Sequence, residues 1–295
     1  MSGPASTTLP DGTIVSLRRI KLPLATLHVA EAGPPAGQPV LLLHGFPEFW
    51  WGWRHQIGPL AAAGFRVIAP DLRGYNQSDK PTDLDSYRLD RLGSDVVALA
   101  DALGHERVHL AGHDWGGIVA CWVAARHPER VIRLAILNAP HPDAVWPTIR
   151  RDPVQLLRSF YVGLFQPPAI PEAFLRANDY AALARALTAT SRPGTFGEGE
   201  LDRYRESWRQ PGALTAMLNW YRALVRRRPE RTGRVRAPTL VLWGVRDHAL
   251  GPTVASESVS FCDRGLVQRF ETATHWLQHE EPEAVNAALL AFLNG

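Results

Sequence analysis

The sequence predicts an α/β protein built on a mostly parallel sheet. Continuous apolar runs, typical of strands buried on both faces, recur along the chain, and helical patterns separate most of them. Alternation of strand and helix gives parallel neighbours joined by right-handed crossovers. The predicted strands lie at 40–43, 65–69, 108–111, 134–137, 239–243 and 266–270.

Two flanking regions complete the predicted core. Alternating patterns at 12–17 and 24–29 indicate an antiparallel hairpin before the first buried run. At the other end, Pro282 is a favourable first residue for a helix whose apolar side chains recur at helical spacing.

The strand pattern stops between the runs at 134–137 and 239–243. Residues 140–235 contain short helical patterns separated by prolines and no convincing buried strand. We therefore predict a core domain formed by residues 1–139 and 236–295, with a helical cap, residues 140–235, inserted between two strands.

The composition is that of an ordinary globular protein. The chain has 295 residues, of which 45% are hydrophobic and 21% charged, with a formal net charge of +3. The arginine cluster at 226–228 is interpreted as a solvated helix end and not a nucleic-acid site, because no recognition fold accompanies it. No apolar stretch reaches the roughly 18 residues of a membrane span, and no secretory signal is recognised. We expect a cytoplasmic monomer or homodimer without a membrane or nucleic-acid partner.

The residues most informative about chemistry are Gly-His-Asp-Trp-Gly at 112–116, between a buried strand and a helix of small residues. Gly-x-nucleophile-x-Gly is the pattern of a strained turn that exposes a nucleophile, and here Asp114 stands where serine is usual. An ionised carboxylate suits displacement at an alkyl carbon, which leaves an ester on the enzyme. An N-cap role is the plainer alternative for this aspartate.

A histidine and a second acid follow in the order expected for a triad. His275 comes after the last predicted strand, and Asp247 follows the strand at 239–243. We predict that His275 activates water and that Asp247 orients its imidazole. Asp143 is the alternative acid, and His248 is a less favoured base.

The loop after the first buried strand, His44-Gly45-Phe46-Pro47, provides the remaining polar groups. Gly45 lets the backbone approach the nucleophile, so the N–H groups of Phe46 and Trp115 are predicted to form an oxyanion hole. His44 is expected to anchor the loop and border the substrate pocket. A cis bond before Pro47 would fit the tight turn needed here.

Several of these segments resemble the epoxide hydrolases of the α/β-hydrolase superfamily, over nearly the whole chain. The matching segments are His44-Gly45-Phe46-Pro47-Glu48, Asp71-Leu72-Arg73-Gly74-Tyr75, Gly112-His113-Asp114-Trp115-Gly116-Gly117, Trp243-Gly244-Val245-Arg246-Asp247 and His275-Trp276. The resemblance implies the α/β-hydrolase fold, with an eight-stranded, mostly parallel sheet flanked by helices. Asn76 departs from the pattern, because glycine is usual at that position.

The resemblance also implies two tyrosines in the cap that donate hydrogen bonds to the epoxide oxygen. Tyr161 and Tyr221 occupy the segments similar to those of the family. A phenol can protonate the alkoxide of an opening epoxide without being ionised at neutral pH. The expected reaction converts an apolar epoxide and water into a vicinal diol, in a pocket bordered by His44, Pro47, Trp115 and Trp276, with no metal or organic cofactor.

Two other functions share some of these residues. A haloalkane or haloacid dehalogenase would use the same nucleophile and histidine, but such enzymes carry asparagine in place of Phe46 or arginine in place of Trp115. A non-catalytic receptor for a small apolar ligand would not need every reactive side chain that is present. A serine esterase is disfavoured because no serine occupies position 114.

Overall fold

A twisted sheet with helices on its faces forms the core of the protein in a computed structural model that describes residues 5–227 and 230–295. Residues 1–4, part of the segment searched for a secretory signal, and Arg228 of the arginine cluster lie outside the described residues. The strands are β1 (Ala5–Thr8), β2 (Ile14–Lys21), β3 (Thr26–Ala32), β4 (Pro39–Leu43), β5 (Arg66–Pro70), β6 (Val108–His113), β7 (Val131–Leu137), β8 (Thr239–Gly244) and β9 (Gly265–Phe270).

Helices occupy most of the remaining chain. They are α1 (Arg54–Ala62), α2 (Leu89–Ala102), α3 (Trp115–Arg126), α4 (Pro142–Arg151), α5 (Pro153–Arg158), α6 (Tyr161–Leu164), α7 (Ile170–Thr190), α8 (Glu198–Trp208), α9 (Ala213–Arg226), α10 (Pro252–Val259), α11 (Leu277–Glu280) and α12 (Pro282–Asn294). None of the helices described here has both the length and the apolar character that a membrane crossing requires.

The strand order is β1-β2-β3-β5-β4-β6-β7-β8-β9, and every pairing from β5 to β9 is parallel. The mostly parallel sheet and the antiparallel hairpin are therefore confirmed. The described residues form nine strands, not eight. The strand that we did not predict is β1, a short polar edge segment that pairs antiparallel with β2 and has no apolar pattern of its own.

Burial explains why the central strands were recognisable. Every residue of β4, β6 and β8 is buried, so these strands lack the polar alternation of a half-exposed strand. The prediction for 266–270 was wrong in this respect. Strand β9 is an exposed edge strand, and Leu266 is 66% exposed.

The carboxyl ends of the parallel strands meet along one edge of the sheet and carry the candidate site. His44 follows β4, Asp114 follows β6 and Asn138 follows β7, while Asp247 and His275 follow β8 and β9. A crevice beyond the carboxyl ends of the strands is where α/β sheets bind ligands. The topology alone brings these side chains together from five separate segments.

Helices α4 to α9 lie between β7 and β8 and are called the cap below. Prolines at the first turns of α4, α5 and α7 begin these helices and do not break them. The cap is tied to the core by buried hydrogen bonds. Tyr204 donates to Glu48 (2.7 Å), and the Trp208 indole donates to the Pro47 carbonyl (2.7 Å). The division into a core and a cap domain is not tested by these contacts and stays a prediction.

The departure at Asn76 has a local explanation. Its φ of 39° lies in the left-handed region, where glycine is the usual residue and asparagine is the best-tolerated alternative. The Asn76 side-chain amide donates a hydrogen bond to Asp71 at 2.8 Å, and this bond stabilises the turn, in which glycine is the usual residue.

Candidate active site

Asp114 lies in a strained turn between β6 and α3. Its φ of 50° and ψ of −122° are unfavourable for a side chain with a Cβ, at a typical cost of about 1–3 kcal/mol. Three glycines make room for the turn: a Cβ at Gly112 would collide with the Gly116 carbonyl, and one at Gly45 would collide with the Asp114 side chain. The strain keeps the carboxylate at the carboxyl edge of the sheet.

The structure brings together the three predicted members of the triad. His275 Nδ1 lies 2.7 Å from Asp247 Oδ2, and His275 Nε2 lies 3.6 Å from Asp114 Oδ2. The imidazole is thus placed between the two carboxylates. A water molecule near Nε2 would lie beside the Asp114 carboxyl carbon.

Electrostatics favour a charged imidazole when both carboxylates are ionised. Burial alone would lower the pKa of His275, but the negative charges of Asp247 and Asp114 outweigh it and raise the pKa to about 9. Burial would raise the pKa of Asp247, but the charge and hydrogen bond of His275 dominate and lower it. The resting site therefore holds a protonated His275 at neutral pH.

Asn138 also fixes Asp247, and the sequence analysis missed this residue. Its amide donates to Asp247 Oδ2 (2.6 Å) and to the Gly244 carbonyl (3.1 Å), while its Oδ1 accepts from the Gly244 N–H (2.7 Å). The N–H groups of Ala249 and Leu250 donate to the other carboxylate oxygen of Asp247. The only feature of the sequence that indicates a role for Asn138 is its position immediately after a buried strand.

Neither the alternative acid nor the alternative base takes part in the hydrogen bonds of the triad. Asp143 accepts hydrogen bonds from the backbone N–H groups of Thr232 (2.9 Å) and Gly233 (3.0 Å), so it serves as a loop anchor. His248 lines the cavity beside His275 but forms no hydrogen bond with Asp247 or Asp114 within the described chain.

The two oxygens of Asp114 have different neighbours. The Phe46 N–H donates to Oδ1 at 2.8 Å, whereas Oδ2 faces His275. The Phe46–Pro47 bond is cis, as expected for this turn. Trp115 is the first residue of α3, so its N–H lies at the positive end of the helix dipole. Oδ1 is thus bound where an oxyanion hole is predicted, and Oδ2 is left to react.

Tyr161 and Tyr221 meet above Asp114. Tyr161 begins α6 and Tyr221 belongs to α9, yet their ring centroids lie 5.8 Å apart. The Tyr221 ring also packs edge-on against Phe46 (5.2 Å) and Trp115 (5.1 Å). Burial, reinforced by the negative charge of Asp114, raises the pKa of Tyr161 and also that of Tyr221. Both phenols therefore keep their protons at neutral pH.

Two cavities meet at this point, and Asp114, Tyr161 and Tyr221 line both. The larger, of about 330 Å³, is walled mainly by apolar side chains, among them Trp115, Trp146, Ile149, Leu156 and Phe160. The smaller, of about 280 Å³, is lined by residues that include Phe46, Pro47, Arg158, His248, His275 and Trp276. Of the residues predicted to border the pocket, Pro47, Trp115 and Trp276 therefore line a cavity.

His44 does not border either cavity, contrary to prediction. It is fully buried, its Nε2 accepts from the Leu72 N–H at 3.0 Å, and its ring packs edge-on against Tyr75. Its Nδ1 donates to the carbonyl of Gly45 at 3.0 Å. These contacts support the other prediction for His44, that it anchors the loop, and we leave it out of the pocket.

A second buried network lies behind His275, and the sequence analysis gave it no role. Glu48 is 1% exposed and lies 2.7 Å from His279 and 3.2 Å from His113. Burial would raise the pKa of Glu48, but these two histidines lower it well below its ordinary value. His113 in turn donates from Nε2 to the His275 carbonyl at 2.9 Å, so this network holds the backbone of the histidine.

The described residues include no group of three histidine, cysteine, aspartate or glutamate side chains arranged to hold a metal ion.

Comparison with known proteins agrees with this geometry. Residues 38–282 match the family described as alpha/beta hydrolase fold. The AB hydrolase superfamily protein YfhM of Bacillus subtilis is 46% identical and the alignment covers 91% of this chain and 94% of that protein. Epoxide hydrolase 4 of Mus musculus is 38% identical, over 93% of this chain and 78% of that protein.

Solved structures give the same result. The epoxide hydrolase of Bacillus megaterium, in complex with an inhibitor, has a TM-score of 0.85 and 31% identity, covering 94% of this chain and all of that one. Epoxide Hydrolase A of Mycobacterium thermoresistibile has a TM-score of 0.86 and 31% identity, covering 95% of this chain and 98% of that one. The chain belongs to the α/β-hydrolase fold family and, within it, to the epoxide hydrolases.

Proposed function

We propose that this protein hydrolyses apolar epoxides to vicinal diols through an ester on Asp114. The observation that carries the proposal is the position of one Asp114 oxygen, which faces the junction of two cavities below Tyr161 and Tyr221 and lies 3.6 Å from His275. Membership of the epoxide hydrolase family supports the reaction class. The covalent route is inferred from the geometry.

In the first step Asp114 Oδ2 attacks the less hindered carbon of the epoxide. The C–O bond of the ring breaks, and its electron pair goes to the ring oxygen. Tyr161 and Tyr221 stabilise that oxygen and supply a proton, since both phenols are protonated at neutral pH. Because Oδ1 accepts a hydrogen bond from the Phe46 N–H, Oδ2 is the oxygen that attacks.

Forming the ester changes the charge around His275. Asp114 becomes neutral, so one of the two carboxylates that raise the pKa of His275 is lost. The proton that His275 releases balances the proton gained by the epoxide oxygen, through the tyrosines and solvent. The imidazole thus becomes a base only after the ester has formed.

In the second step neutral His275 takes a proton from water, and the hydroxide attacks the Asp114 carbonyl carbon. Negative charge develops on Oδ1, where the Phe46 N–H already binds and where the Trp115 N–H is proposed to assist. The bond from the carboxyl carbon to Oδ2 then breaks. The second proton of the attacking water passes to Oδ2, so a neutral diol leaves with Oδ2 as one of its oxygens. The oxygen of the water remains in the restored Asp114 carboxylate, and His275 is protonated again.

A single turnover in water labelled with ¹⁸O tests this sequence. With excess enzyme and styrene oxide, the first diol should be unlabelled and one ¹⁸O should appear in the Asp114 peptide. Label that enters the diol directly in the first turnover would contradict the ester. Release of halide from a haloalkane, without any diol from a broad panel of epoxides, would favour the dehalogenase instead.

A variant of the base provides the second test. His275→Gln should accumulate the ester, seen as a mass increase of Asp114 equal to the mass of the substrate. His248→Gln is the matched control, because this neighbouring imidazole lines the same cavity but forms no hydrogen bond with Asp247 in the described chain. Equal accumulation in both variants, or in neither, would contradict the role assigned to His275.

A further inference from the structure

Exposed apolar side chains are concentrated in the part of the cap that runs from α5 to the start of α7. Val154 and Leu157 lie three residues apart in α5, Leu164 ends α6, and Ile170 and Phe174 are one turn apart in α7. Their exposed fractions run from 57% to 71%. We call these five residues, together with Leu156 and Phe160, the apolar patch.

The apolar patch is continuous with the cavity. Leu156 is 57% exposed and Phe160 is 61% exposed, yet both also line the larger cavity, as does the 43% exposed Val225. Side chains that are exposed and line the cavity at the same time mark its mouth. The apolar patch therefore reaches the mouth of the larger cavity.

The charges around the apolar patch are predominantly positive. Arg150 and Arg151 end α4 next to the patch, and Arg176 follows it in α7. Arg151 is paired with Glu257 of α10, at 3.4 Å. Arg150 and Arg176 are exposed, and neither pairs with a carboxylate of the described chain. Arg226 is also exposed and donates to the Gln166 carbonyl, in the loop between α6 and α7.

The acidic residues within the same segment are already engaged. Glu172 is buried in an ion pair with Arg222, at 2.7 Å. Asp152 caps α5 by accepting from the N–H groups of Val154 (2.9 Å) and Gln155 (3.2 Å). Asp152 keeps its negative charge as a helix cap, so the excess of positive charge beside the patch comes from Arg150, Arg176 and Arg226.

We propose that the apolar patch docks on the surface of an anionic lipid bilayer. Exposed apolar side chains with arginines beside them are the combination that binds an interface carrying negative headgroups. A second copy of the chain fits less well, because a symmetric contact would bring arginines against arginines and cover the mouth. This docking departs from the sequence-based expectation of no membrane partner, which rested on the lack of a spanning segment, because no helix needs to span the bilayer. If the proposed function holds, docking lets an epoxide dissolved in lipid enter the cavity directly.

Co-sedimentation of the full chain with vesicles, without substrate, tests the docking. Wild type should bind vesicles of phosphatidylcholine and phosphatidylserine more tightly than vesicles of phosphatidylcholine alone. Leu157→Glu combined with Ile170→Glu should weaken binding to both by at least about tenfold, since each side chain removed would be buried in the interface. Both residues lie outside the cavity lining, so hydrolysis of a water-dissolved epoxide should persist in this variant.

The control pair is Ile14→Glu with Leu266→Glu. These residues are 70% and 66% exposed, close to the 71% of Leu157 and Ile170, but lie on strands β2 and β9. The control should bind vesicles like wild type. Arg150→Gln with Arg176→Gln should weaken only the binding that depends on phosphatidylserine, by about fivefold for each arginine at low salt.

Three results would overturn the proposal. Wild type could fail to bind phosphatidylserine vesicles, the patch variant could bind like wild type, or the control variant could lose as much binding as the patch variant. A dimer in light scattering that Leu157→Glu dissociates, without vesicle binding, would assign the patch to a second copy. The two proposals fail in different ways. If the proposed function is wrong, the protein does not hydrolyse styrene oxide in water, but its binding to vesicles is unchanged.

Discussion

Raising the pH from 6.5 to 9 should remove a stabilising contribution of His275 to the folded protein. An unfolded histidine has a pKa of about 6.5, whereas Asp247 and Asp114 raise that of folded His275 to about 9. Below pH 6.5 both states are protonated and the stabilisation is fully present. It is lost as the pH rises through 9, because the unfolded state has then already released its proton.

The size of the effect follows from the shift. His275 is 6% exposed, so solvent screens its interaction with the carboxylates little. A difference of about 2.5 pKa units, at about 1.4 kcal/mol for each, corresponds to about 3 kcal/mol of folding free energy at most. Other groups also titrate in this window, so the contribution must be measured as a difference between wild type and His275→Gln.

Urea unfolding at pH 6, 7.5 and 9 would provide that difference. The free energy of unfolding of wild type should fall by up to about 3 kcal/mol more than that of His275→Gln across the window. His248→Gln is the control and should keep the wild-type dependence. Parallel losses in wild type and His275→Gln would refute the assignment of a raised pKa to the ion pair.

Three further predictions concern the residues that prepare the reaction. Tyr161→Phe and Tyr221→Phe should each slow ester formation in single-turnover experiments, and the double variant should lose on the order of 10²–10⁴-fold. Gly45→Ala should lose most activity while keeping its circular dichroism spectrum, because the new methyl group occupies the space of the Asp114 carboxylate. Asn138→Ala should slow ester hydrolysis more than ester formation and lower the Tm by several degrees, since a hydrogen bond to a buried charged group contributes about 1.5–3 kcal/mol.

Each of these predictions has an outcome that contradicts it. Full activity in the double tyrosine variant would remove the phenols from the mechanism. An active Gly45→Ala would show that the loop can move away from Asp114. Equal slowing of both steps in Asn138→Ala would mean that this amide acts on the whole site and not through Asp247.

The parts of the site that could be predicted are those fixed by the backbone. A strained turn needs glycine on both sides, so the turn that holds Asp114 can be recognised from consecutive residues of the sequence. His275 and Asp247 were predicted from their positions after strands, because parallel strands present their carboxyl ends at one edge. The positions of the central strands could also be predicted, because their full burial leaves a continuous apolar run.

The parts that were missed depend on tertiary contacts between distant segments. Glu48 is fixed by His279, 231 residues away, and Asn138 by Gly244, 106 residues away. Neither contact leaves a local sequence pattern, because the hydrogen-bond partner of a buried polar group can come from any part of the chain. The exposure of β9 was missed for a related reason: its position at the sheet edge is a property of the topology, not of its own residues.

The different environments of the two Asp114 oxygens explain how one carboxylate can serve both steps. Oδ1 is fixed by the Phe46 N–H, so the rotation of the carboxylate is restricted and Oδ2 points toward His275. In the proposed mechanism that restriction matters twice: it would select the oxygen that forms the ester, and it would place the remaining carbonyl oxygen where charge develops when water attacks. Since the close approach of Phe46 depends on Gly45, the loop after β4 determines the chemistry of a residue that follows β6. The nucleophile is therefore a property of two neighbouring strands of the sheet and not of the turn alone.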